Sequence, residues 1–266
     1  MNILNKLYNI SDYPDINKFA NIIKQSFLDN CEFIVIKNNY FLNEEKEIMD
    51  YFNKLSILLG EIKMVDKKKY SDQDQDDYWV DIKYSLNSQS VYNSSTKQPW
   101  KSNEQLNLHT DNTLSNNHNF ANITELVCIK PSKYSGETVI ISNNKIIELM
   151  KYLDEINNTD LYDRLLKTCV YHKSTEKKIC IKNDNTYTFN FNITQILNSQ
   201  FNNKENVEIS KDFSNLLENI MKSTLIQEIR LEKGDSLLFN DMLVMHGRKY
   251  VFGERLYKKC SILIQK

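Results

Sequence analysis

The sequence predicts a mainly β fold with flanking helices, a double-sheet jelly roll. From residue 106 onward, seven or more short apolar or β-branched segments are separated by turns. Glycine occurs only five times, and four of the five follow residue 130, beside the predicted strands and turns. The 266 residues are enough for a large buried core. We therefore expect one domain that spans residues 1–266.

The first 64 residues are expected to form a helix–strand–helix buttress for the core. Apolar residues at helical spacing predict a helix over residues 14–29, and a β-branched and aromatic run predicts a strand over residues 31–37. A second amphipathic helix is expected over residues 42–59, where Gly60 ends it.

Residues 65–105 are polar and lack a clear apolar period, but they contain both tryptophans and several tyrosines. A long loop with aromatic side chains is typical of a functional lid. We therefore expect residues 65–105 to form a lid or loop region near the substrate. Trp79, Trp100 and Tyr92 within it are more often packing residues than substrate contacts.

Residues 106–266 are expected to form the jelly-roll core, because their apolar runs have strand length and turn residues separate them. The predicted helices cover residues 143–167, as one or two helices, and 208–222. The predicted strands after Leu106 cover residues 123–129, 138–141, 169–172, 178–182, 187–191, 226–231, 236–239 and 255–264.

Charge and composition exclude several classes of function. The formal net charge is -1 and the isoelectric point is about 6.5, which gives no electrostatic reason to expect a nucleic acid or membrane partner. No apolar run approaches the length of a membrane helix, and the five cysteines are scattered singly, without a zinc or disulfide spacing. We expect a cytoplasmic protein with a small-molecule substrate; its oligomeric state stays open, a homo-oligomer included.

The chemistry is expected at His109 and Asp111. Their spacing of two residues, flanked by alternating leucines, would place both side chains on one face of a strand. With a histidine from a distant strand they would form the 2-His-1-carboxylate set that binds non-haem iron. His246 follows the apolar run at residues 236–239 and supplies that third group. The alternative for His109 and Asp111 is a surface pair with no metal.

Two further side chains could hold a carboxylate. Arg255 lies nine residues after His246, and a guanidinium can bind a carboxylate such as the distal one of 2-oxoglutarate through two parallel hydrogen bonds. Thr138 could add a hydroxyl to the same group.

These motifs, in this order, resemble the TauD/TfdA family of dioxygenases, most closely its clavaminate synthase-like branch. The resemblance covers about residues 104–264, and residues 31–60 match only loosely. The residues that carry it are Asn107-Leu108-His109-Thr110-Asp111-Asn112-Thr113, Cys128-Ile129-Lys130-Pro131, Ser135-Gly136-Glu137-Thr138, Gly234-Asp235-Ser236-Leu237-Leu238-Phe239, His246-Gly247-Arg248 and Gly253-Glu254-Arg255.

The resemblance implies a double-stranded β-helix fold and oxidation of a small molecule with Fe(II), 2-oxoglutarate and O₂. It implies that His109, Asp111 and His246 bind the iron, and that Thr138 and Arg255 bind 2-oxoglutarate. 2-Oxoglutarate would be decarboxylated to succinate and CO₂. The substrate class expected from the motifs and the chain size is a free amino acid or a natural-product intermediate.

The sequence departs from the family pattern at two positions. The family usually has two glycines where this chain has Ser135-Gly136, and Arg255 stands closer to the distal histidine than in many members. Arg248 is therefore a rival for the carboxylate of 2-oxoglutarate. Because Asp111 is present, hydroxylation, desaturation or cyclisation is expected rather than halogenation.

Two other functions stay open at this point. A cupin-like metal-dependent isomerase or lyase would use His118 as an additional ligand, and a non-catalytic relative would only bind the metal or 2-oxoglutarate. His172, the remaining histidine, is expected to be structural.

Overall fold

The computed structural model describes residues 5–64, 78–84, 103–111 and 121–265. We number helices and strands in chain order. The helices are α1 (Ile16–Leu28), α2 (Glu45–Leu59), α3 (Asn143–Asn157), α4 (Leu161–Lys167), α5 (Ile193–Leu197) and α6 (Lys204–Met221). The strands are β1 (Lys6–Asn9), β2 (Phe33–Lys37), β3 (Glu61–Ile62), β4 (Val80–Tyr84), β5 (Leu106–His109), β6 (Ile123–Lys130), β7 (Tyr134–Ser135), β8 (Thr138–Ser142), β9 (Cys169–His172), β10 (Thr175–Lys178), β11 (Cys180–Asn183), β12 (Thr186–Phe189), β13 (Gln227–Ile229), β14 (Ser236–Asn240), β15 (Val244–Arg248), β16 (Val251–Phe252) and β17 (Arg255–Leu263).

The larger of two facing sheets has the strand order β1-β2-β14-β6-β17-β3, and β4 also pairs with β17. Successive side chains along its strands point alternately to two buried faces of the sheet. One face packs against α1 and α2, as Ile34 and Ile36 of β2 do, and the other face turns toward the second sheet, as Phe33 and Val35 do. This strict alternation follows from the two-residue period of a strand.

The smaller sheet has the order β13-β8-β15-β5. Its inner face meets the larger sheet, and the two sheets enclose a core between them. Its outer face is covered by α3, α4, α5, α6 and the hairpins β9–β10 and β11–β12. The two inner strands of this sheet are therefore buried on both faces, since all five residues of β8 and all five of β15 are buried.

Glu125 of β6 is a fully buried carboxyl group on the α2 side of the larger sheet. Its Oε1 accepts a hydrogen bond from the Ser236 hydroxyl at 2.9 Å, and its Oε2 lies 2.5 Å from the Ser56 hydroxyl. Cys260 Sγ lies 3.7 Å from the same Oε2. Burial raises the pKa of Glu125 to about 7, although the hydroxyl and thiol contacts act to lower it.

The predicted jelly-roll arrangement of two facing sheets with helices outside is confirmed, and most predicted elements are present within a few residues of their expected limits. Residues 31–37 do more than support the core, because β2 is an internal strand of the larger sheet. Within residues 65–105, which the sequence predicts to be a lid or loop region, Val80–Tyr84 form the strand β4. Trp79 beside it is buried in the α1–α2 core, as a packing residue would be.

Among the described residues, no helix has both the length and the apolar character that a membrane crossing requires. None of the five cysteines forms a disulfide in the structure.

Candidate metal centre

The two histidines of the candidate site are direct neighbours on adjacent strands. His109 ends β5 and His246 lies in the middle of β15, and the two residues are paired in the antiparallel register. Their ring centroids are 4.4 Å apart. A short turn separates β14 from β15, and His246 lies on the strand that follows this turn.

Gly247 allows the close approach of these two strands. A Cβ atom built at Gly247 would lie 2.6 Å from the carbonyl oxygen of Leu106, which is too close for any side chain. The pairing of β15 with β5 is irregular between His246 and Arg248, as at a β-bulge. Glycine at this position therefore permits the irregular pairing next to His246.

Asp111 lies just beyond β5 rather than on the strand itself. Between the two polar residues, Thr110 is bonded to a distant part of the chain. Its backbone N–H donates to the carbonyl of Phe191 at 2.9 Å, and the N–H of Phe191 donates to the Thr110 hydroxyl at 3.0 Å. These two bonds hold Thr110 on the side away from His109 and Asp111, so the predicted common direction of those two side chains is kept beyond the strand end.

Three potential ligand groups converge at this point. The Nε2 atom of His246 lies 3.5 Å from Asp111 Oδ2, and the Nε2 atom of His109 lies 3.9 Å from Asp111 Oδ1. One ligand atom from each residue lies within 4.8 Å of the other two. The structure therefore brings the three predicted residues together, and a single metal ion of octahedral preference could bind all three.

The electrostatics of the site favour a neutral imidazole beside an ionised carboxylate. Burial, and then the neighbouring His246 ring, lowers the pKa of His109 to about 4. Burial alone would raise the pKa of Asp111, but the Lys259 ammonium and the two imidazoles hold it well below its usual range. Lys259, which shares a strand face with Arg255, donates a hydrogen bond to Asp111 Oδ2.

Backbone and carboxylate groups surround the ligand set. The Nδ1 atom of His109 lies 2.8 Å from the carbonyl of Asn107, so a ring proton on Nδ1 leaves the Nε2 lone pair toward the cluster. The Asp241 carboxylate lies next to the Nδ1 atom of His246 and accepts a hydrogen bond from the backbone N–H of Asp111. Neither Lys259 nor Asp241 was identified in the sequence. Lys259 lies four residues after Arg255 on β17, so the two-residue period of a strand could have placed it on the same face as Arg255. No spacing in the sequence indicates Asp241.

Thr138, Arg248 and Arg255 are all buried. Thr138 of β8 pairs with Arg248 of β15. Arg248 donates through Nη2 to the carbonyl of Glu104 at 2.8 Å. The Arg255 guanidinium stacks on the ring of Tyr257, 3.7 Å from its centroid, and it has no carboxylate partner among the described residues. A buried guanidinium without a counter-charge is suited to bind an anion.

The remaining sequence predictions have different outcomes. His118, Trp100 and Tyr92 lie outside the described residues. His172 on β9 is fully buried, and neither ring nitrogen has a hydrogen-bond partner in the described part of the chain. Burial, and then the Lys177 charge, lowers the pKa of His172 to about 4, so its ring is neutral near pH 7. It does not belong to the cluster of three.

Two facing sheets with helices outside, and a His-Asp-His cluster between the sheets, define a jelly-roll protein with a 2-His-1-carboxylate group. The sequence matches the family model described as "Taurine catabolism dioxygenase TauD, TfdA family" over residues 27–260. The chain therefore belongs to the TauD/TfdA family, and the predicted class, an Fe(II)- and 2-oxoglutarate-dependent dioxygenase, is confirmed. No protein of curated function matches the sequence.

Solved structures with the same fold have very different sequences. Asparagine oxygenase, solved with Fe(II), 3-hydroxyasparagine and succinate, superposes with a TM-score of 0.66 at 10% identity, over 94% of this chain and 79% of that one. The non-haem iron oxygenase OrfP with Fe and α-ketoglutaric acid gives 0.58 at 13% identity, over 94% and 80%. An α-ketoglutarate-dependent taurine dioxygenase of Burkholderia xenovorans, described as putative, gives 0.59 at 12%, over 93% and 81%. These likenesses confirm the double-stranded β-helix fold.

Proposed function

We propose that this chain uses His109, Asp111 and His246 to bind Fe(II), and that it oxidises a free amino acid or a natural-product intermediate. Hydroxylation is the principal outcome proposed, with desaturation or cyclisation as the alternatives. The observation that carries the proposal is the convergence of two imidazole Nε2 atoms on one carboxylate, all within 4.8 Å. Family membership supports the same assignment.

The donor set fits ferrous iron. Two neutral imidazoles and one carboxylate on one side of an ion leave about three adjacent positions for a co-substrate and O₂. Bound iron with 2-oxoglutarate supplies the oxidising chemistry, and the protein supplies position, charge and exclusion of water. The burial of His109 keeps its ring neutral, and Lys259 keeps Asp111 ionised, so both groups are ready to bind a cation.

We assign the distal carboxylate of 2-oxoglutarate to Arg255, with the Thr138 hydroxyl as a second donor. Arg255 is buried and stacked on Tyr257, and this stacking fixes the plane of the guanidinium before an anion arrives. Arg248 already donates to the Glu104 carbonyl, which makes it the weaker candidate.

The substrate class is proposed from the relatives. The asparagine oxygenase structure contains hydroxyasparagine, and another OrfP structure contains 3-hydroxy-L-arginine, so free amino acids are substrates or products on this fold. We propose the same class here, in a single dioxygenase domain over residues 1–266, with residues 65–105 as a lid region and the cytoplasm as the location. The five cysteines form no disulfide, which supports a reducing compartment.

An anaerobic titration tests the metal assignment. Apo-protein receives Fe(II) and then 2-oxoglutarate, and the weak visible charge-transfer band of the chelate is recorded. We expect a band that needs both additions, disappears in His246→Ala and persists in His172→Ala, which removes a buried imidazole outside the cluster. Absence of iron binding, or a band unchanged in His246→Ala, would contradict the proposal. Succinate formation with a panel of amino acids then tests the substrate class.

A further inference from the structure

Asp241 occupies the tight connection between β14 and β15. Its side chain is almost fully buried, and its backbone N–H donates to the carbonyl of Asn122 at 2.9 Å. The next part of the connection is also fixed, because the N–H of Met242 donates to the Asn240 side chain at 3.0 Å. The Asp241 carboxylate is therefore held in place from both sides of its own backbone.

This carboxylate contacts two of the three candidate ligands. The backbone N–H of Asp111 donates to Asp241 Oδ2 at 3.1 Å, and Asp241 Oδ1 lies 3.5 Å from His246 Nδ1. That nitrogen is buried, and no hydrogen bond of normal geometry reaches it within the described residues. Since His246 Nε2 lies toward Asp111, the Nδ1 edge of the ring faces Asp241.

A carboxylate at the second ring nitrogen has a known effect on a metal-binding histidine. It accepts the proton of Nδ1, which fixes the tautomer with a bare Nε2, and it increases the electron-donating strength of the ring. His109 receives the equivalent support from a neutral group, the carbonyl of Asn107 at 2.8 Å. The two imidazoles therefore have unequal partners, one neutral and one anionic.

Asp241 also interacts electrostatically with Lys177 of β10. Burial lowers the pKa of Lys177, and the Asp241 carboxylate opposes that shift.

We propose that Asp241 is a positioning residue for the metal centre: one oxygen holds the His246 ring through Nδ1–H and the other fixes the Asp111 backbone. This inference rests on the proposed ligand set. Contacts of this kind are often long in the empty site and tighten when it is filled, so we expect the 3.5 Å separation to shorten in the metal-loaded protein.

The test uses Co(II), which takes the same ligands and gives paramagnetically shifted proton signals. Co(II) affinity is measured by competition with a chelator for wild type, Asp241→Asn and Asp241→Ala. We expect binding 10- to 100-fold weaker in Asp241→Ala. Asp241→Asn should lie between, because an amide has one acceptor oxygen and the site presents two N–H donors.

The exchangeable ring N–H signals separate positioning from general damage. Two such signals are expected in the Co(II) protein, from His109 and His246. In Asp241→Asn the His246 signal should move and exchange faster with D₂O, while the His109 signal stays unchanged. Asp235→Asn is the matched control, since Asp235 is equally buried but accepts from Lys37 at 2.6 Å and from the Asn38 N–H at 2.9 Å. Its Co(II) affinity should remain within twofold of wild type.

The outcomes distinguish the two proposals. If wild type binds Co(II) and Asp241→Ala binds it within twofold as tightly, with both N–H signals unmoved in Asp241→Asn, the positioning role is wrong and the proposed function stands. If wild type binds no Co(II), the ligand set is wrong and the role of Asp241 is overturned with it.

Discussion

Glu125 provides the sharpest prediction about stability, through the pH dependence of wild type compared with Glu125→Gln. Burial favours the neutral form of the Glu125 carboxyl group. Its Oε1 accepts a hydrogen bond from the Ser236 hydroxyl at 2.9 Å, and the Ser56 hydroxyl lies 2.5 Å from its Oε2 and 2.7 Å from the carbonyl of Phe52. These hydroxyl contacts act to lower the pKa of Glu125, but the opposite effect of burial is larger.

The direction and the size of the expected change in stability with pH follow from the pKa of Glu125. The folded-state pKa of Glu125 is raised to about 7 from the ordinary value of 4.5. Its contribution to stability is therefore complete below pH 4.5 and is lost as the pH rises to about 7, because only the unfolded chain releases the proton in that range. At 1.36 kcal/mol per pKa unit, wild type should lose about 2.5 kcal/mol between pH 5 and pH 8 from this group alone.

Urea unfolding of wild type and Glu125→Gln at several pH values between 5 and 8 measures this loss. Glutamine has nearly the same shape and cannot ionise, so the difference between the two proteins cancels all other titrating groups. We expect the free energy of unfolding of Glu125→Gln, measured relative to that of wild type, to increase by about 2.5 kcal/mol from pH 5 to pH 8. A difference that stays constant with pH would refute the argument that Glu125 is neutral in the folded protein.

Three further predictions concern the site and its supporting turns. Arg255→Gln should weaken 2-oxoglutarate binding by about 10- to 100-fold in the chelate titration, whereas Arg248→Gln should change it less than threefold; the reverse order would transfer the role to Arg248. Gly247→Ala should destabilise the fold by about 1–3 kcal/mol in urea unfolding, because its Cβ would meet the Leu106 carbonyl at 2.6 Å; unchanged stability would contradict that close approach. Ser135→Gly should stabilise by about 1 kcal/mol, since Ser135 has φ +54° where glycine is favoured, and a loss of stability would contradict this.

The elements that the sequence predicted well are those with a strong local period. The helices at residues 16–28 and 45–59 have an apolar stripe, and β6 and β17 are long apolar or alternating runs. By contrast, β4 has only five residues within a polar region, and its place is fixed by pairing with β17. Such non-local pairing leaves little trace in local composition.

The residues of the site also divide into those that the local sequence predicts and those that only distant contacts identify. His109, Asp111 and His246 were predictable because their residue types and order are distinctive, and the structure brings them together. Asp241 was not predictable, because it acts from a turn in another connection. Its importance comes from three-dimensional proximity to His246 rather than from spacing.

The bonds between Thr110 and Phe191 have a consequence for the evolution and engineering of this enzyme. Residues 143–225, between β8 and β13, fold against the back of the smaller sheet, and through Phe191 they also hold the residue between two candidate iron ligands. This region is therefore not an exchangeable module. A chimera that imports it from a relative would have to reproduce both bonds to Thr110, or His109 and Asp111 would lose their common direction.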